Sequence, residues 1–126
     1  MKIPFKLLAI LAGAAALSAP ALAQNYPVSG NWGQSSSSAP GAIDCGGKRV
    51  IGFNGDQRTD SKGGTPAYRN YSVTSDGQSQ YRVVDRFSNA QQSSASTSYT
   101  LRKIDNDHIE MKMQGGSTLK LQRCKD

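Results

Sequence analysis

From residue 67 onward, apolar and polar residues alternate with period two, the mark of strands that bury one face. Tyr71 and Val73 alternate with polar neighbours. So do Tyr81, Val83 and Phe87, then Tyr99 and Leu101, then Ile109, Met111 and Met113, then Leu119 and Leu121. No helical stripe is visible. Ser75-Asp76-Gly77, Asp105-Asn106-Asp107 and Gln114-Gly115-Gly116 separate the runs, and all three are strong turn formers. Upstream, residues 28–32 and 48–53 read as two further strands, the second ending at the turn dipeptide Asn54-Gly55. The pattern predicts an all-β fold: an antiparallel up-and-down meander of about seven to eight strands that closes into a small barrel.

Register follows from the same pattern, because cross-strand partners share a face. A two-residue turn at Gly115-Gly116 would set Met111 opposite Lys120. A three-residue loop, 114–116, sets Met111 opposite Leu119 and Ile109 opposite Leu121, and places Gly116 where a left-handed residue is needed. Applied to Ser75-Asp76-Gly77, this reasoning sets Tyr71 opposite Tyr81. The turn at Asp105-Asn106-Asp107 stays open, since Ile104 falls out of phase with Leu101. Three stretches read as loops: 34–41, rich in Ser, then 54–67 and 89–96. Long loops on a small scaffold tend to be functional or disordered. The 54–67 stretch, with Asp56, Arg58, Asp60 and Lys62, is the candidate contact loop.

The first 23 residues follow different rules. Lys2 and Lys6 precede an apolar stretch at 7–17, and Ala21-Leu22-Ala23 supplies small residues for cleavage. This is the order of a cleavable secretory signal peptide, leaving residues 24–126 as one domain. The apolar stretch is shorter than the roughly 20 residues a spanning helix needs, and no later run is long enough either. No transmembrane segment is expected after cleavage, and the location expected is periplasmic or extracellular. Residues 24–126 carry 13 basic and 9 acidic side chains, a net charge of +4. The basic residues are scattered along the chain. Such a mild charge suits an anionic envelope surface or an acidic partner and does not call for nucleic acid.

Export also bears on stability. Ile, Leu, Val and Phe make up only 14 of these 103 residues, a thin core. Cys45 and Cys124 are the two cysteines, and export places them where disulfides form. Their bridge would close a loop of about 80 residues, worth roughly 4.5 kcal/mol by chain entropy. That is comparable to the whole stability of a small domain. Two free thiols or an intermolecular bridge are the alternatives.

No motif for catalysis stands out. His108-Ile109-Glu110 has the H-x-E spacing of zinc deaminases, but no P-C-x-x-C follows, and further His or Cys ligands are missing. Alternation directs His108 and Glu110 away from Ile109, toward solvent. Asp105, Asn106 and Asp107 lack the twelve-residue calcium pattern, and no nucleophile elbow accompanies His108. Neither enzyme activity nor a metal or cofactor is expected. Asp85 shares the parity of Tyr81, Val83 and Phe87 and so faces inward, as Arg123 does beside Leu119 and Leu121. An inward charge needs a partner or water. A wet position at the barrel mouth is expected for Asp85, with a structural partner or a ligand contact as alternatives.

Gly30-Asn31-Trp32 on the first strand, with Arg123 on the last, resembles the lipocalin-like superfamily of small barrels. The resemblance implies that the G-x-W motif opens the barrel and that Trp32 closes one end against Arg123. That superfamily includes carriers of small apolar molecules, and a shorter bacterial branch contains exported protease inhibitors with one disulfide. The expectation is therefore a monomeric binding protein that takes a small apolar or amphipathic ligand or a protein partner. Alternatives are an inhibitor of a secreted or periplasmic hydrolase, or a structural protein held on the envelope surface.

Overall fold

Eight strands follow one another along the chain: β1 (Gly30–Gln34), β2 (Val50–Asn54), β3 (Gln57–Asp60), β4 (Ala67–Ser75), β5 (Gln80–Phe87), β6 (Ser96–Asp105), β7 (His108–Met113) and β8 (Thr118–Arg123). Each pairs with the next, and β1 pairs with β8, so the sheet closes into an antiparallel barrel. Closure leaves no sheet edge to template association. The structure is a computed structural model that describes residues 25–62, 67–87 and 95–126, and these contain no helix. The proposed signal peptide at 1–23 lies outside the described residues, as does most of the 89–96 loop.

The β7–β8 hairpin has the register that the apolar pattern predicts. Met111 faces Leu119 and Ile109 faces Leu121, across a three-residue loop closed by a Met113 N–H to Ser117 carbonyl bond of 2.8 Å. Gly116 adopts φ +107°, a region closed to most L-residues.

The β4–β5 hairpin departs from expectation. Tyr81 faces Ser75, not Tyr71. Asp76 N–H bonds the Gln80 carbonyl at 2.8 Å, so the loop is 77–79 and Ser79 takes the left-handed position at φ 59°. The register then shifts between Asn70 and Ser72. A bulge adds one residue to one strand and switches which side chains face inward. Asn70 is buried as a result, while Tyr71 is 53% exposed and lies against the Arg86 guanidinium, 3.7 Å from its ring centroid. A second bulge between Lys103 and Asp105 explains why Ile104 is out of phase, and it leaves Ile104 exposed.

Upstream, β1 and β2 lie two residues or so later than the apolar pattern indicates. The 54–67 stretch is not one loop. Asn54 pairs with Gln57 across a tight Gly55-Asp56 turn, and β3 follows. Its alternation is carried by charged residues, Arg58 and Asp60 facing inward, so no apolar period marks it in the sequence.

The barrel interior is filled by Trp32, Ile51, Phe53, Val83, Leu101, Ile109, Met111 and Leu121, each at most 2% exposed. Such close enclosure matches the packing of a solid protein interior. Tyr26, in the segment before β1, joins this core edge-on to Phe53 with ring centroids 4.9 Å apart.

Candidate functional site

Four groupings of side chains could carry function, two inside the barrel or at its end and two on its outer surface. Inside, β3, β4, β5 and β6 bring Arg58, Asn70, Asp85 and Tyr99 together. Arg58 donates from Nε to Asp85 Oδ2 at 2.7 Å, Tyr99 donates its hydroxyl to the same oxygen at 3.0 Å, and Asn70 donates to Asp85 Oδ1 at 3.2 Å. The Arg58 guanidinium lies over the Tyr68 ring at 3.9 Å. Asp85 is thus no wet barrel-mouth residue: it is fully buried, and its partner is Arg58, not Arg123. Burial opposes the Arg58 charge, but the Tyr99 oxygen and the Asp85 carboxylate outweigh it and raise the Arg58 pKa. Burial, with the Asp85 charge second, pushes the Tyr26 and Tyr99 hydroxyls far above the usual phenol range. All three shifts, of Arg58, Tyr26 and Tyr99, run upward, away from neutral pH, so these groups keep their protons there.

At one end of the barrel, Arg123 pairs with Trp32 across β8 and β1. Its guanidinium stacks 4.5 Å from the indole centroid and donates from Nη2 to the Asn106 carbonyl at 2.7 Å. Trp32 Nε1 donates to the Ser29 carbonyl at 3.1 Å. Gly30 suits this place through its backbone, at φ +91°, a region that favours glycine; a Cβ there would make only ordinary contact, 3.7 Å from Arg123 Nη1. Gly30, Trp32 and Arg123 therefore meet at one end of the barrel.

On the outside, the Ser-rich arm after β1 lies against β8. Gln122 donates to the Ala39 and Gly41 carbonyls at 3.0 and 2.9 Å and accepts from Ser35 Oγ at 3.0 Å. The arm leads to the disulfide Cys45–Cys124, which lies against Gly33. A Cβ on Gly33 would collide with Cys45 Sγ. The arm explains why His108, expected in solvent, is only 8% exposed. Its neighbour on β8 is Gln122, which the arm covers. His108 Nδ1 lies 2.7 Å from Asp105 Oδ1, and this contact is the first cause holding the Asp105 carboxyl below its ordinary range. His108 Nε2 is buried without a hydrogen-bond partner. Ser35 to Ser38 of the arm line a hollow of about 130 Å³ with His108 and Asp105, but no serine hydroxyl lies within hydrogen-bond distance of this nitrogen. Among the described residues, no three His, Cys, Asp or Glu side chains are grouped to hold a metal.

The candidate contact residues separate. Asp56 sits in the β2–β3 turn and pairs with Arg69 at 2.9 Å, both exposed. Arg58 and Asp60 are buried, the latter held by Arg49 Nη2 at 2.7 Å. Lys62 follows β3 and uses its backbone N–H to cap Asp60. Two of the four are therefore unavailable to a partner, because the stretch is a strand whose charges point inward.

The feature that sequence reading missed is the outward face of β5–β8. Pairing sets Arg82, Thr100, Lys112 and Thr118 in one cross-strand row and Gln80, Arg102, Glu110 and Lys120 in the next. Arg82, Arg86, Arg102, Lys112 and Lys120 share this face with two acids: Glu110, which lies 3.7 Å from Arg102, and Asp105 at the far end of β6, which is engaged by His108. Their even numbering on each strand was available in the sequence, but that they adjoin depends on register. Two depressions open here. One, of about 230 Å³, is lined by Arg82, Lys112, Ser98, Thr100 and Gln114 among others. The other, of about 550 Å³, is lined by Lys48, Lys120, Thr118 and the arm serines. Comparison of the chain with protein-family models, with curated proteins and with solved structures finds no match.

Proposed function

We propose that this chain is an exported, non-enzymatic barrel that acts by binding through its outer surface. The observation that carries the reading is the filled interior: eight core side chains are at most 2% exposed, and the hollows that touch Trp32, Ile109 and Leu121 are open to the surface and measure only about 130 and 180 Å³. A carrier of small apolar molecules needs a cavity of roughly 300 Å³ or more. The charged Arg58–Asp85 pair would also be a poor lining for an apolar ligand. The Trp32–Arg123 stack supports a lipocalin-like closure, with the interior used as a rigid core.

Export is supported by the order of charge, apolar stretch and small residues in 1–23 and by the disulfide, which persists in oxidising compartments. Within the described residues no helix is long and apolar enough to cross a membrane. Native mass spectrometry of the exported protein tests both parts. The expected mass is that of a chain beginning at Gln24 with one disulfide and no adduct. A stoichiometric small molecule retained through gentle purification would overturn exterior binding, and a retained N-terminal segment would overturn cleavage.

A further inference from the structure

Resting on the exterior-binding reading, we propose that the outward face of β5–β8 is a binding site for an acidic polysaccharide, with the depression between Arg82 and Lys112 taking one anionic sugar residue. Three observations converge. First, the two cations flank the depression with hydroxyls of Ser98 and Thr100 between them. Gln114 lines it too, and its amide oxygen is occupied by the Ser98 hydroxyl at 3.0 Å, which turns the amide nitrogen into an available donor. The Thr100 hydroxyl and the Gln114 amide remain as donors, while Ser98, its proton given to Gln114, can accept; cations beside such neutral groups match a sugar ring that carries a carboxylate or sulfate beside hydroxyls.

Second, the neighbouring depression repeats the composition. Lys48 and Lys120 stand beside Thr118 and the arm serines, and Lys112 of the first depression pairs directly with Thr118 of the second. Neither lining contains an acidic residue. Two adjoining anion-attracting hollows suit a linear polyanion whose successive residues occupy them in turn. Cationic grooves of this kind concentrate anions by focusing the field.

Third, the face is wrong for the other common polyanions. Tyr81, Phe87 and Tyr99 of β5 and β6 share the inward parity, and the exposed Tyr71 of neighbouring β4 is already stacked on Arg86, so single-stranded nucleic acid would lack a run of open stacking platforms. The hollows are concave on a curved barrel, which a flat plane of lipid headgroups does not enter.

The test uses the exported, disulfide-bonded chain with heparin and polygalacturonate as probes, measured by calorimetry across a salt series. Binding is expected at low salt, with affinity falling steeply as salt rises. R82Q/K112Q should weaken it at least ~10-fold and flatten the salt slope by about two, one for each lost contact. K103Q/K125Q removes the same net charge elsewhere and should change affinity less than ~2-fold. Equal losses from the two double variants would overturn the site, as would absence of binding to either polysaccharide. Tighter binding to phosphatidylglycerol vesicles or to poly(dT) would overturn the ligand class. All four positions are exposed, so unchanged unfolding midpoints verify that each variant folds. A negative result with the native mass spectrum still free of adduct removes the polysaccharide and leaves exterior binding standing; a co-purified apolar ligand removes exterior binding itself.

Discussion

Arg58 and Asp85, 27 residues apart in sequence, form an ion pair of 2.7 Å inside the barrel with side chains 2% and 0% exposed. The pair spans β3 to β5 and draws in Asn70 from β4 and Tyr99 from β6. Half the barrel thus converges on one carboxylate. Burying two charges costs several kcal/mol, offset only when geometry and extra hydrogen bonds are good.

Breaking this pair should be severe. Asp85→Ala leaves the Arg58 charge buried and unpaired and should cost about 3–5 kcal/mol. Arg58→Met with Asp85→Leu should recover most of the loss. Urea unfolding measures both, and a loss under about 1 kcal/mol for the single variant would show that the pair is solvated.

Tyr99→Phe removes one donor from Asp85 and should cost about 1–3 kcal/mol. Tyr71→Ala should cost far less, about 1 kcal/mol at most, since Tyr71 is outward and stacked on Arg86. A reversed order in thermal or urea unfolding would mean that the β4 bulge is absent and Tyr71 faces the core.

Acid should weaken the fold through Asp60. Burial alone would raise the Asp60 pKa, but bonds from Arg49 and the Lys62 N–H outweigh it, so it falls below the ordinary 3.8. A carboxyl depressed in the folded state stabilises above its unfolded pKa, and that stability is lost as pH falls through the folded value. Stability should therefore hold above about pH 4 and decline below it. Asp60→Asn should flatten part of that decline in urea titrations at successive pH values.

The disulfide joins residues 79 apart in sequence, so reducing it should cost about 4.5 kcal/mol. Gly33→Ala should also destabilise the oxidised protein, because the new methyl displaces Cys45. If the variant melts with the parent in oxidised form, the disulfide does not lie on Gly33. Trp32 is the single tryptophan and is buried, so its emission reports each of these transitions directly.

Much of the fold is legible in the sequence where one face is apolar. The β7–β8 register follows from Ile109, Met111, Leu119 and Leu121 because a one-residue slip would turn all four to solvent. Tyr71 misleads for the opposite reason. An aromatic with a polar handle is stable inside or outside, so parity alone cannot locate a bulge beside it. β3 is hidden because its inward residues are Arg58 and Asp60, whose burial is stable only with Asp85 and Arg49 in place.

By itself, the sequence determined the all-β class, the meander and the one pairing open to two cysteines within the chain, because periodicity, turn chemistry and residue count are local properties. The tertiary structure decided that Asp85 meets Arg58, that the arm covers His108, and that the basic residues scattered along the chain gather on β5–β8. Those outcomes depend on register summed across several strands, and a charge has no period to reveal which distant partner or neighbour the closed barrel will bring beside it.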